Sequence, residues 1–351
     1  MAKQYPLAQV VAQLEQGRPP ESEAGFLGAA LDPAQAGLLL IPVPWEATTS
    51  YGGGTSQGPQ AILKASHQLD LEDAAFGQPY RAGISFVEAD ETIAELNQPA
   101  REAALTVIEA LEEGRKAPTE LALVNRASEE VNRHVHRQAK AILAEGKLAA
   151  VVGGDHASPQ GLIQALAEQY EDFGILHLDA HHDLREAYEG FVCSHASIFF
   201  NVMEQQPQVS RLVQVGIRDY CRREADYARG LGERAQVFYG AELFRSKAGG
   251  ESWLSICDRI IAALPQQVYV SFDIDALDPP YCPNTGTPVP GGLSFDEASY
   301  LLERLAQSGR QIIGFDLCEV APGKEDEWDA NVGARILYKL CGATLRSQGM
   351  C

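Results

Sequence analysis

A chain of 351 residues with 45% apolar and 22% charged residues has the composition of an ordinary globular protein, which argues against intrinsic disorder. The net charge of −20, from 48 acidic against 28 basic residues, repels nucleic acid and anionic lipid and favours metal ions and cationic small molecules. Seven cysteines without CxxC spacing exclude a zinc ribbon or a disulfide framework and fit reduced thiols in a cytosol, so a cytoplasmic location is expected.

The beginning, MAKQYPLAQVVAQLEQG, lacks the apolar core of a signal peptide, and nowhere do about 18 apolar residues run together, so neither export nor a membrane span is expected. Residues 1–35 read as an N-terminal extension with a short amphipathic segment around Val10 to Leu14, followed by Arg18-Pro19-Pro20. Residues 36–351 read as one domain, whose first buried strand is expected at Leu38 to Val43. The glycine-rich stretch from Tyr51 to Ala61 (YGGGTSQGPQA) has neither dinucleotide-fingerprint nor phosphate-loop spacing, and reads as a loop at the mouth of a site. From Pro99 to Lys147 two helices are expected, broken near Lys116-Ala117-Pro118, with Val131, Val135, Ala139 and Ile142 on one apolar face. Apolar runs at Leu148 to Val152, Gly174 to Leu178, Leu212 to Ile217, Val268 to Phe272 and Ile312 to Leu317 supply further strands. Alternation of strand and helix implies an α/β fold, in which ligands sit beyond the carboxyl ends of parallel strands.

Three of those strand ends turn abruptly polar: Gly153-Gly154-Asp155-His156, then Asp179-Ala180-His181-His182-Asp183, then Asp273-Ile274-Asp275. Residues two apart on an extended chain share a side, so Asp179, His181 and Asp183 can converge, as can Asp273 and Asp275. Four carboxylates buried together repel unless protonated or neutralised. Two divalent cations would balance four Asp, with His156 and His181 completing the shells, and an oxygen-rich set with two imidazoles suits Mn²⁺ better than Zn²⁺, with Ni²⁺ or Co²⁺ as alternatives. His182 faces away from the ligands, His177 and His67 are expected to be packed or hydrogen-bonded, and His134 and His136, beside Arg133 and Arg137, to be solvated. Cys193 and Cys318, close in sequence to polar residues of the site, are candidates for thiol sensitivity.

The three motifs resemble the signatures of the ureohydrolase family, which comprises arginases, agmatinases and formiminoglutamases, and look most like those of bacterial agmatinases. The likeness includes the Tyr51 to Ala61 loop and Gly314 to Pro322 (GFDLCEVAP), and runs from about Leu38 to the C-terminus. It implies a three-layer α/β/α fold with a central, mostly parallel sheet, and a homo-trimer or homo-hexamer. It also implies two manganese ions, one on His156 and Asp183, the other on His181 and Asp275, with Asp179 and Asp273 bridging. A hydroxide between the ions would attack the guanidino carbon, with Asp183 taking its proton, Glu319 pairing with the guanidinium and His195 relaying a proton to the leaving amine.

The expected substrate is a small cationic guanidino compound, first agmatine, giving urea and putrescine in polyamine biosynthesis. Where arginases place an Asn and an Asp to hold the amino-acid end of arginine, this chain has Arg185 and Cys221, which disfavours free arginine. Arg185 could instead favour an acid such as 4-guanidinobutyrate or formiminoglutamate, unless it pairs with Glu186 or Glu189. A one-metal deacetylase would not need both acidic motifs, and an inactive homologue would be expected to have lost ligands.

Overall fold

Apolar runs bounded by turn residues become strands in the computed structural model, which describes residues 4–17 and 24–351. Among these residues the strands are β1 (Leu38–Val43), β2 (Ile84–Phe86), β3 (Leu148–Gly153), β4 (Phe173–Leu178), β5 (Val209–Val215), β6 (Ala235–Phe238), β7 (Gln267–Asp273) and β8 (Gln311–Cys318). They form a single sheet in the order β2, β1, β3, β8, β7, β4, β5, β6, with every neighbouring pair parallel. Six strands coincide with the expected runs. The two that were not anticipated are edge strands: β2 has only three residues, too few to show a pattern, and β6 is partly exposed, which leaves a weak apolar signal.

The helices are α1 (Leu7–Glu15), α2 (Gly58–Ala65), α3 (Glu91–Glu112), α4 (Pro118–Ala144), α5 (Gln160–Gln169), α6 (Ile198–Gln205), α7 (Arg222–Gly230), α8 (Gly240–Ala248), α9 (Trp253–Ala262), α10 (Phe295–Gln307) and α11 (Trp328–Ser347). Because strand side chains alternate, the sheet has two apolar faces. Leu38, Leu40, Val152, Leu176, Val270 and Phe315 pack on one side against residues of α2, α9, α10 and α11, such as Ile62, Ile260, Leu302 and Leu337. Leu39, Ile41, Val151, Ile175, Leu212 and Tyr269 pack on the other with Val135, Leu166, Phe199 and Val202 of α4, α5 and α6. The result is the expected three-layer α/β/α arrangement.

Helix α3 ends at Gly114, whose φ of +71° is the left-handed conformation that glycine adopts freely, and α4 starts on Pro118. The break therefore falls where the sequence put it. His134 on α4 is not solvated as expected: its Nδ1 lies 2.6 Å from Asp90 Oδ2 and its Nε2 3.1 Å from Glu130 Oε1. Asp90 caps α3 by accepting from the Thr92 amide, so this pair ties two helices together. Val10 of α1 is buried with Leu39 and Ile41, while Arg18-Pro19-Pro20 lies outside the described residues. No helix among the described residues is long and apolar enough to cross a membrane.

The strand order has one consequence for the site. The polar strand ends of β3, β8, β7 and β4 are side by side at the centre of the sheet, at the position where parallel α/β sheets hold ligands.

Candidate metal centre

Gly154, after β3, lets the chain pass hard against the segment leaving β1: a Cβ there would lie 1.9 Å from the Trp45 carbonyl oxygen. The Asp155 amide donates to that oxygen at 2.7 Å, which sets the turn that turns His156 inward. Asp179, Asp273 and Asp275 are almost wholly buried, as are His156 and Asp183, and His181 is partly exposed. Asp183 and Glu319 both have left-handed backbones, with φ of +53° and +63°, a strained conformation that recurs at functional positions.

His156 Nδ1 lies 3.1 Å from Asp179 Oδ2, 3.0 Å from Asp183 Oδ2 and 3.3 Å from Asp273 Oδ2. It makes a well-directed hydrogen bond to none of them, whereas its Nε2 is engaged by the Ser271 hydroxyl at 2.9 Å. A buried ring nitrogen facing three carboxylate oxygens without a partner is the donor set of a cation site. Beside it, His181 Nδ1 is 3.0 Å from Asp275 Oδ2 and 3.5 Å from Asp179 Oδ1. Asp179 thus belongs to both groups, one oxygen to each. The six residues singled out as ligands from the sequence are brought together.

The electrostatics point the same way. Burial and the neighbouring Asp275 and Asp179 push the Asp273 carboxyl well above the usual range, and burial with Asp179 pushes Asp183 up to about 7. Burial opposes charge on the imidazoles, yet the surrounding carboxylates raise His156 well above its ordinary value and His181 to about 12. Asp179, despite burial, is held well below the usual range by His177 and His156. Such a cluster must hold protons or metal, and the residues present fit divalent cations.

A cavity of about 310 Å³ opens over this floor. His195 and Glu319, the two remaining candidates, line it. His195 Nδ1 is 3.1 Å from Thr48 Oγ1, and burial together with nearby His181 and His156 lowers its imidazole to about 3, so it is neutral. Glu319 accepts from the His156 amide at 2.9 Å, and burial beside Asp155 pushes its carboxyl well above the usual range. A cationic ligand would restore its charge.

Arg185 also lines the cavity, but it pairs with neither Glu186 nor Glu189. Its Nε is 3.5 Å from Glu224 Oε2, and its guanidinium stacks 4.9 Å from the Tyr188 ring centre. Cys193 and Cys318 do not provide reactive thiols: burial raises Cys193 to about 11 and Cys318 well above its ordinary value, and neither lines the cavity. His182 points away from the cluster to Gln214, and His67 meets the Gly25 carbonyl oxygen.

Glu46 and Arg218 are among the organisers that escaped sequence reasoning. Glu46 accepts from the amides of Gly54 and Ser56 at 2.7 and 3.0 Å and so pins the glycine-rich loop; its position three residues after β1 was the available signal. Arg218 donates to the carbonyl oxygens of Asp275, Leu277 and Val289, tying the loop after β5 to that after β7.

Residues 36–342 match the sequence profile of the arginase family. The chain is 32% identical over 309 residues to an N(1)-aminopropylagmatine ureohydrolase of Thermus thermophilus, covering 88% of this chain and 90% of that one. It is 30% identical over 316 residues to an N(1)-aminopropylagmatine ureohydrolase of Synechocystis sp., covering 90% and 91%. Among solved structures it is similar in fold to an agmatine ureohydrolase of Thermoplasma volcanium, with a TM-score of 0.71 at 21% identity over 95% of this chain and 99% of that one.

Proposed function

The chain belongs to the arginase family and is a hydrolase of guanidino carbon–nitrogen bonds, and from that premise we propose that it uses two manganese ions to release urea from agmatine. The observation that carries this reading is the unpartnered His156 Nδ1 facing three carboxylate oxygens, with Asp179 shared between that group and the one around His181. In this reading His156, Asp183, His181, Asp275, Asp179 and Asp273 would hold the two ions, and Ni²⁺ or Co²⁺ would use the same donors. Bound divalent cations would neutralise the carboxylates and acidify a water at neutral pH. Glu319, short of a cation at the cavity wall, pairs with the planar guanidinium and orients its carbon. Asp183 takes the proton of the attacking water. His195, neutral and tied to Thr48, passes a proton on to the departing amine instead of storing it.

The tail of the substrate meets Arg185, Tyr188, Asp219, Tyr220 and Glu224. Glu224 partners Arg185, so the positive charge expected to attract a carboxylate tail is offset, and Asp219 adds negative charge at the same wall. That supports an amine tail over a guanidino acid. A second reading, N1-aminopropylagmatine, is favoured by the relatives of that name and has the same guanidino end with a longer cationic tail. Seven unpaired cysteines support placement in a cytoplasmic polyamine route, and a homo-trimer or homo-hexamer is proposed with it.

Urea release measured for agmatine, N1-aminopropylagmatine, 4-guanidinobutyrate, formiminoglutamate (as formamide) and L-arginine tests the substrate. An agmatine-type amine should exceed arginine in kcat/KM by at least about 100-fold, or about 2.7 kcal/mol. A preference for a guanidino or formimino acid that Arg185→Ala removes would overturn the amine reading and leave the family untouched.

A further inference from the structure

Behind the cluster lies a buried chain of polar groups that no step above uses. His177 on β4 and Gln214 on β5 are paired residues across the sheet and both have no exposed surface. His177 Nε2 is 2.7 Å from Asp179 Oδ2, and its Nδ1 is 2.9 Å from Gln214 Nε2. Gln214 Nε2 also lies 2.8 Å from the His182 carbonyl oxygen, and Gln214 Oε1 is 2.6 Å from His182 Nδ1.

The proton positions follow from one fixed acceptor. A backbone carbonyl can only accept, so the atom of the Gln214 amide beside His182 O must be the nitrogen. The amide oxygen then faces His182 Nδ1, which donates to it. The remaining amide hydrogen points at His177 Nδ1, which must present its lone pair. His177 is therefore protonated on Nε2 and donates to Asp179 Oδ2. With both ring nitrogens committed, His177 has no lone pair for a metal, although it lies within reach of the His156, Asp179 and Asp183 donor atoms.

We propose that His177 and Gln214 are positioning residues for the Asp179 carboxylate. Gln214 fixes the tautomer of His177, and His177 holds the oxygen of Asp179 that faces His156, while the His181 amide holds the other. This inference rests on the reading of Asp179 as a shared metal ligand. Outer hydrogen bonds of this kind typically change metal affinity by about 10- to 100-fold.

Two amide substitutions separate a donor from mere filling of space. A Gln amide nitrogen reaches about as far as the imidazole Nε2, whereas an Asn amide nitrogen reaches only as far as Nδ1. Mn²⁺ affinity and stoichiometry, measured by competition with a chromophoric chelator on folded protein of matched melting behaviour, should therefore differ. His177→Asn should weaken Mn²⁺ binding at the weaker of two sites by about 10- to 100-fold, and His177→Gln should stay within a few-fold of the parent. Should His177→Asn not fold, Gln214→Leu, which frees the His177 tautomer, should weaken the same site by about 10-fold while His177→Gln still binds. Unchanged affinity in His177→Asn, or in Gln214→Leu where that variant stands in, overturns the proposal, as does equal loss in His177→Asn and His177→Gln. A parent protein that binds no pair of Mn²⁺ ions would instead overturn the metal reading itself.

Discussion

Asp273 and Glu319 occupy neighbouring strand ends, yet their roles separate cleanly by what they face. Asp273 lies 3.3 Å from His156 Nδ1 among other carboxylates, so Asp273→Asn removes a charge the cations need. Elemental analysis should show loss of stoichiometric metal in that variant, together with loss of urea release; two retained ions and a near-normal rate would refute the assignment. Glu319 lines the same cavity but accepts from a backbone amide instead of facing the His156 ring nitrogen, so Glu319→Gln should keep its metal while kcat/KM falls about 30- to 1000-fold, the loss of a charged contact of about 2–4 kcal/mol in a desolvated site. His195→Asn should lower kcat more than KM, with partial rescue by added imidazole, because the lost group moves a proton and binds no metal. Metal analysis of both variants checks the distinction, since a loss of metal would place either residue in the ion shell.

At the level of elements, the helix pair α3 and α4 shows how a capping residue can also join elements. Asp90 caps α3 at 3.0 Å and meets His134 of α4 at 2.6 Å. Asp90→Ala should destabilise the protein by about 1 kcal/mol or more, measured by urea denaturation. Partial burial raises the Asp90 carboxyl, but the hydrogen bonds from His134 and Thr92 outweigh it and hold the group below its ordinary 3.8. A depressed acid stabilises the fold above its unfolded value and loses that contribution as pH falls through the folded one. The difference between parent and Asp90→Ala should therefore be full above about pH 5 and shrink below about pH 4.

For the whole molecule, the burial of many acids at one point makes stability depend on metal. Ions bound only to the native state add about 2.7 kcal/mol per site at a hundredfold excess over Kd, so chelation should lower the melting temperature. The chelated protein should also lose stability as pH rises. Asp183, raised from 3.8 to about 7, stabilises fully below 3.8 and loses that contribution through about 7. Asp273, raised by burial beside Asp275 and Asp179, acts in the same direction. Glu319 and Asp155, both raised by burial, add to this loss and together with Asp183 and Asp273 outweigh the opposite effect of the lowered imidazoles of His195 and His177, which gain stability as pH rises toward 6.5; His181 loses its contribution only above 6.5, and Asp179, depressed, keeps its own above 3.8. Calorimetry with and without Mn²⁺ between pH 4 and pH 7 checks this: a chelated protein that becomes more stable toward pH 7 would contradict it.

Sequence alone determined the six main strands, the break between α3 and α4, and the candidate donor residues at the strand ends, because each depends on neighbours in the chain. Their spacing kept Asp179, His181 and Asp183 close together, but the expected alternation is not what makes them converge: the chain bends after β4, the His181 amide donates to Asp179 Oδ1, and Asp183 turns with a φ of +53°. Only the tertiary structure decided which strand ends meet. The sheet order places β8 and β7 between β3 and β4, and nothing local in any of those segments encodes it. For the same reason Arg218, Gln214 and Glu224 were not legible as organisers of the site: each acts on groups distant along the chain, such as Asp275, His177 and Arg185. Edge strands β2 and β6 were lost to a different cause: three residues are too few to show a pattern in β2, and the partly exposed β6 needs little apolar surface. Arg185 joins both lessons: its charge was plain in the sequence, but its partner, Glu224 at the start of α7, reaches it only through the fold.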